Sequence, residues 1–261
     1  RKVKILAEKR RVVAKVLAQQ QMNDDVYRMV LSAPEMASVI KPGQFLQLKT
    51  GRLRDPLLRR PISIADADAS KGELQLVYRV LGEGTKYLAG LSTGAEVDLL
   101  GPLGNGFTLQ GNRPLLVGGG MGIAPLLYLV KAFCPTPTDV LLAGREAKEL
   151  FWTSLFAESC HAVHVTTDDG SMGRKGNALA LLPELLASGE YDIVYTCGPD
   201  PMMKAVAAEA ARHNLPCQVS LERYMACGIG ACLSCSCAAK DGSRRKVCSD
   251  GPVFWAEEVE L

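Results

Sequence analysis

The sequence predicts an all-β unit, then an α/β unit built on a parallel sheet, then a short cysteine-rich unit. Three observations carry this. Between Arg11 and about Phe107, short β-rich runs alternate with turn signals, the pattern of an antiparallel sandwich or barrel. Between Pro114 and about Asn214, continuous apolar strands alternate with amphipathic helical stretches, the signature of βαβ units. From Cys217 to Leu261 the chain is too short to bury a core without a staple, and it holds six of the nine cysteines.

In the first zone the expected strands are "VYRMVLSA", "GQFLQLKT", "PISIADA", "ELQLVYRVL" and "AEVDLLGPLGNGF", whose glycine-rich end marks a boundary. In the second zone "PLLVGGG", "DVLLAG", "AVHVTT" and "DIVYTCG" read as strands. Between and after them, "PLLYLVKAF", "LALLPELLA" and "PMMKAVAAEAARH" read as helices.

Composition narrows the function. Thirty basic against 28 acidic residues leave a net charge of +2, too small a field to argue for nucleic acid or an anionic membrane. The basic start (Arg1, Lys2, Lys4, Lys9, Arg10, Arg11) reads as a solvated face. The longest apolar run, "LLVGGGMGIAPLLYLV", has 16 residues broken by four glycines and a proline. A spanning helix needs about 20 residues with few such breaks, so a soluble protein is expected. Clustered, odd-numbered cysteines are unlike a disulfide framework and point to a reducing compartment with thiolates kept for a metal.

The chemistry-bearing motifs begin with "LLVGGGMGIAPLL", a strand entering glycines and then a helix opened near Pro125. Its glycines would let phosphates approach a helix N-terminus, although the run departs from G-x-G-x-x-G and also suits a plain tight turn. "YTCGPDPMM" ends a second parallel strand, where ligands of such sheets bind; Cys197 there reads equally as a small core residue. In "TTDDGSMGRKG", Asp168 and Asp169 suit ribose hydroxyls or an Asx-type turn. "LLRRPISIAD" sets Arg60 and Ser63 on a proline-fixed backbone, an arrangement open to pyrophosphate recognition or to a surface arginine.

Cys227, Cys232, Cys235 and Cys248 form C-x4-C-x2-C-x12-C. The first intervals match the plant-type [2Fe–2S] run, in which a short loop presents three thiolates and a fourth arrives from further along. Ala226, Gly228, Gly230 and Ala231 supply the smallness such a wrapping loop needs. A four-thiolate zinc site would use two close knuckles, and only Cys232 and Cys235 form one. Cys237 reads as a free thiol beside the loop, and Cys134, Cys160 and Cys217 have no partners at metal spacing.

Together "RRPIS", "GPLGNGF", "VGGGMGIAPL", "YTCGPDPM" and "MACGIGACLSC…VCSDGPVF" resemble the electron-transfer subunit of NAD-dependent (class 1B) dihydroorotate dehydrogenase. That family lies within the ferredoxin–NADP⁺ reductase-like superfamily. The resemblance implies a flavin-binding β-barrel over 1–109, an NAD-binding α/β domain over 110–215 and a [2Fe–2S] domain over 216–261. It implies FAD contacts at Arg60, Pro61, Ile62 and Ser63, at Val77, Tyr78 and Arg79, and at Gly84 and Thr85. It puts Gly119, Gly120 and Gly122 against the phosphates of NAD, and Cys197, the candidate catalytic residue, near the nicotinamide. It assigns the cluster to Cys227, Cys232, Cys235 and Cys248. The expected partner is an FMN-containing catalytic subunit, two copies of each forming a cytoplasmic heterotetramer. The expected reaction is dihydroorotate oxidation in pyrimidine biosynthesis, with electrons passed through the cluster and FAD to NAD⁺. A related reductase serving another acceptor is the alternative.

Overall fold

Alternating buried and exposed side chains build the first unit in the computed structural model, which describes residues 9–51 and 56–261. Arg1, Lys2 and Lys4 of the basic start lie outside the described residues. Six antiparallel strands close into a barrel: β1 (Arg10–Gln21), β2 (Val26–Ser32), β3 (Phe45–Leu48), β4 (Arg60–Asp68), β5 (Glu73–Arg79) and β6 (Glu96–Leu103). Their order around the barrel is β1-β2-β5-β4-β3-β6. Met29, Leu31, Leu46, Leu48, Ile64, Leu74 and Leu76 fill it. Two short helices, α1 (Pro34–Ala37) and α2 (Glu83–Ala89), belong to this unit. The first strand carries little sequence signal, because only Ala14 and Val16 of its residues are buried and little apolar period results.

The second unit is a seven-stranded sheet formed by β7 (Pro114–Gly119), β8 (Asp139–Gly144), β9 (Ala162–Thr167), β10 (Arg174–Lys175), β11 (Ile193–Cys197), β12 (Cys217–Ser220) and β15 (Val253–Trp255). The order is β10-β9-β8-β7-β11-β12-β15, all parallel except the last, antiparallel strand. Helices α3 (Ile123–Phe133), α4 (Thr153–Ala157), α5 (Leu182–Ala187) and α6 (Asp200–Arg212) complete it. Cys217–Ser220 and Val253–Trp255, read from the sequence within the third zone, are thus strands of this sheet. A small hairpin, β13 (Ser236–Ala238) with β14 (Arg244–Lys246), follows the cysteine loop.

The units share cores. On one face of the sheet Leu116, Leu127, Leu142 and Tyr195 pack with Val26, Ala65, Val77 and Phe107 from the barrel. On the other, Leu115, Val117, Val194 and Val219 pack with Cys235, Cys237, Cys248 and the barrel residues Phe45 and Leu103. Asn105 of "GPLGNGF" closes the seam, its side-chain nitrogen donating to the carbonyls of Ser249 (3.1 Å) and Asp250 (2.9 Å). Among the described residues no helix is long and apolar enough to cross a membrane.

One ionic network pins the sheet at the start of β8. The Asp139 side chain, 4% exposed, accepts from the Tyr191 hydroxyl (2.7 Å), His161 Nδ1 (2.9 Å) and Arg113 Nη2 (3.1 Å). Burial alone would push its carboxyl up, but the two hydrogen bonds and the guanidinium outweigh burial and hold it below the ordinary carboxylate value. A depressed carboxylate contributes stability above its unfolded value and loses it as the pH falls through the lower folded value. Unfolding is therefore expected to become easier below about pH 4. Asp139→Asn, which leaves Arg113 only the more distant carboxylate of Glu190 (3.6 Å), should cost about 3 kcal/mol at pH 7 in chemical denaturation and flatten that acid dependence. A neutral effect in that experiment would remove the network from the account of stability.

Candidate redox site

The antiparallel register sets the start of β4 beside the end of β5, since Ile64 pairs with Leu76. This gathers Arg60, Pro61, Ile62 and Ser63 next to Val77, Tyr78 and Arg79, with Gly84 and Thr85 in the first turn of α2. The Thr85 hydroxyl accepts from the N–H of Leu81 (2.9 Å) and Gly82 (3.3 Å) and donates to the Gly82 carbonyl (3.1 Å), fixing the turn into that helix. A methyl on Gly84 would meet Arg60 Nε at 2.7 Å, so the guanidinium lies across bare backbone there. Arg60 Nη1 donates to the Leu58 carbonyl at 2.7 Å, which steadies its fork. Val77 and Tyr78 are buried beneath this edge. The Tyr78 hydroxyl accepts from Gln19 Nε2 (2.8 Å), and burial pushes its pKa up to about 12. Arg79 stands 3.2 Å from Asp25. A cation over a side-chain-free cradle, on a rigid strand edge, fits the pyrophosphate of a dinucleotide flavin.

The sheet supplies a second site. From β7 the chain runs outward through β8, β9 and β10 on one side, then returns to β11 and β12 on the other. That reversal falls between β7 and β11, where open parallel sheets bind nucleotides beyond the strand ends. Gly119, Gly120 and Gly122 lead from the end of β7 into α3, which starts at Ile123, two residues ahead of Pro125. Cys197 pairs with Gly118 at the end of β11. A methyl on Gly122 would lie 2.4 Å from Gly198 N and 2.6 Å from the Cys197 carbonyl oxygen, so only glycine lets these two strand ends meet. Cys197 is 1% exposed and its thiol donates to the Ser220 carbonyl (3.5 Å). Burial first, then the Glu222 charge, raise that thiol well above its ordinary value, so it is neutral across the physiological range. In the loop after β9, Asp169 accepts from Ser171 N (2.9 Å) and Oγ (2.6 Å), an Asx-type turn; Asp168 is exposed.

The third site is the cysteine loop. The N–H groups of Ile229 (3.4 Å) and Cys232 (3.4 Å) point at Cys227 Sγ, and the N–H of Cys227 (3.5 Å) points at Cys232 Sγ. The Ser234 hydroxyl stands 3.2 Å from Cys232 Sγ. That contact first, then the Cys227 N–H, lower the Cys232 thiol to about 6, which favours the thiolate. Cys248 N donates to Cys235 Sγ at 3.4 Å. These contacts link Cys227 with Cys232 and Cys235 with Cys248, and Cys227 also acts on Cys248 across the loop. A two-iron cluster takes one pair of thiolates on each iron, and N–H groups aimed at sulfur are its usual surroundings, so the donor set fits a [2Fe–2S] group. Cys237, on β13, is buried in the shared core, and burial raises its thiol.

Two residues here escaped the sequence reading. Glu222, just past β12, faces Cys197 electrostatically, and Gln47 on β3 lies against the cysteine loop. Neither sits in a glycine- or cysteine-marked turn, and only the assembled fold brings them in.

A flavin-type barrel, a nucleotide-type switch point and an iron–sulfur loop on shared cores define a flavin- and nicotinamide-linked iron–sulfur oxidoreductase. Family models agree: Oxidoreductase FAD-binding domain over residues 13–107, Oxidoreductase NAD-binding domain over 116–208, and Iron-sulfur cluster binding domain of dihydroorotate dehydrogenase B over 222–260. The chain is 43% identical to the dihydroorotate dehydrogenase B (NAD(+)) electron transfer subunit of Caldanaerobacter subterraneus subsp. tengcongensis, covering 94% of this chain and 97% of that one. It is 41% identical to the protein of the same name from Bacillus velezensis, with the same coverage. It belongs to the family of dihydroorotate dehydrogenase B (NAD(+)) electron transfer subunits. Among solved structures, an NADH-dependent reduced ferredoxin-NADP oxidoreductase superposes with a TM-score of 0.85 at 30% identity, covering 95% of this chain and 90% of that one.

Proposed function

We propose that the chain carries electrons between a partner subunit, where dihydroorotate is oxidised to orotate at FMN, and NAD⁺. The observation that supports this most directly is the set of four cysteines that runs from the exposed Cys232 to Cys235 and Cys248 in the core shared with the barrel and the sheet. When bound, FAD exchanges hydride with the nicotinamide and single electrons with a [2Fe–2S] cluster. The chain's own residues hold and shield. Arg60 and the α2 turn fixed by Thr85 would hold the flavin's pyrophosphate, with Pro61, Ile62, Ser63, Val77, Tyr78 and Arg79 along the same edge. Gly119, Gly120 and Gly122 would face the nucleotide phosphates at the start of α3. Cys197, neutral through burial, would stand at the nicotinamide without offering a charge or a proton. Cys227, Cys232, Cys235 and Cys248 would bind the cluster. Residues 1–109, 110–215 and 216–261 then supply flavin, nucleotide and cluster binding, the last segment also lending β12 and β15 to the nucleotide sheet.

The rim of the cluster loop suits a partner. Tyr224 is 96% and Leu233 62% exposed, and Leu233 holds a left-handed backbone (φ 63) that bulky residues rarely adopt without cause. Two copies of each subunit, working in the cytoplasm, complete the proposal. The test is to purify the chain alone and with the FMN subunit, and to measure absorption, iron and flavin. A yellow-brown chain that gains dihydroorotate:NAD⁺ activity only in a stable complex agrees; a colourless chain, or full activity without the partner, contradicts it. Tyr224→Ser with Leu233→Ser should leave the absorption spectrum intact and weaken the complex roughly 10- to 100-fold by calorimetry, the range for central apolar anchors.

A further inference from the structure

Gln47 is fully buried (0% exposed), yet neither its side-chain nitrogen nor its side-chain oxygen has a hydrogen-bond partner. Along β3, Leu46 and Leu48 enter the barrel, so Phe45 and Gln47 point outward. Phe45 joins the core that holds Cys235 and Cys248. Gln47 meets the loop itself: a methyl on Gly228 would lie 2.8 Å from Gln47 Cγ and 2.8 Å from Nε2. Gly228 follows Cys227 directly and has φ +70, so both its conformation and its neighbour require glycine. On the other side, Gln47 pairs across the strands with Pro61 of "RRPIS". Gln47 thus lies on the strand beside the flavin motif with its carboxamide against the cysteine loop.

A buried amide is costly unless hydrogen-bonded, and a primary amide carries two donors. The loop already turns two backbone N–H groups onto Cys227 Sγ. We propose that the Gln47 side-chain amide, which has no partner among the chain's own atoms, donates a hydrogen bond to a sulfide of the iron–sulfur group held beside Cys227. Gln47 is then a positioning residue that sets the site's reduction potential from the flavin barrel. The proposal rests on the four-cysteine reading above. A donor to sulfur favours the more negative, reduced state, so its removal lowers the potential.

Gln47→Met keeps the length and packing volume of the side chain and removes both donors. In the full chain loaded with FAD and cluster, an EPR-monitored redox titration should show the cluster midpoint shifted to more negative potential. The flavin midpoint, followed by absorption, should stay in place. An unmoved cluster midpoint, or a shift of the flavin alone, overturns the assignment. Unsubstituted protein with side-chain ¹⁵N-glutamine gives a second reading that does not depend on the variant folding. Its reduced-cluster EPR should carry an amide-nitrogen coupling, and a cluster signal without that coupling overturns the assignment. No cluster signal at all would instead sink the four-cysteine reading on which it rests.

Discussion

Cys232→Ser is expected to yield a chain that keeps its flavin colour and loses the iron–sulfur absorption, whereas Cys237→Ser keeps both. Cys232 is the exposed member of its pair, and Ser234 and the Cys227 N–H already favour its thiolate, the form that ligates iron. An alkoxide is far harder to form and a poorer ligand for a soft cluster. The loss should exceed the roughly 10- to 100-fold that removing a mere outer-shell partner costs in metal affinity or activity. Transfer to the partner should fall with it, while NADH reduction of ferricyanide through the flavin continues. Cys237 lies two residues from Cys235, inside the shared core, where serine exchanges a small apolar thiol for a hydroxyl needing a partner. Its expected cost is to stability alone, about 1–3 kcal/mol. Iron content per chain separates the two outcomes, and loss of iron from Cys237→Ser would remake the ligand set.

The fold and the places of the candidate residues were largely legible in the sequence because they sit in short contiguous turns. The C-x4-C-x2-C run, the glycines after β7, and "RRPIS" each mark a local backbone shape, and each lies at a loop or strand end where the proposed ligand would bind. What was not legible depends on register and on distant parts of the chain. The β3–β4 pairing puts Gln47 opposite Pro61, and only the assembled chain brings it against Gly228, far away in sequence. Only the antiparallel addition of Val253–Trp255 to Cys217–Ser220 makes the cysteine unit an extension of the nucleotide sheet. The acids of "TTDDGS" show the converse. Their composition was open between ribose and turn, and the hydrogen bonds of Asp169 to Ser171 belong to a turn.

Gly122→Ala is expected to separate nicotinamide chemistry from the other two cofactors. Gly122 has φ −62, which any residue can adopt, so the substitution brings no backbone strain of its own. Its effect comes from space: the added methyl would meet Gly198 N at 2.4 Å and the Cys197 carbonyl at 2.6 Å. Both are backbone atoms at the end of a central strand, which cannot rotate aside as a flexible side chain would. The ends of β7 and β11 must therefore part, at a stability cost of about 1–3 kcal/mol typical of overpacking. The same movement shifts Cys197 and the start of α3 relative to each other, and a misplacement near 1 Å can cost about 100-fold in a positioned transfer. The kcat/KM for NADH with a small acceptor should fall by that order. FAD content, iron content and the EPR signal of the chemically reduced cluster should match the unsubstituted chain, because Arg60, the α2 turn and the cysteine loop lie on other elements. A variant that keeps NADH turnover would place the nucleotide elsewhere than the β7–β11 switch point; one that loses its flavin would show that the barrel and the sheet bind their cofactors as a single unit.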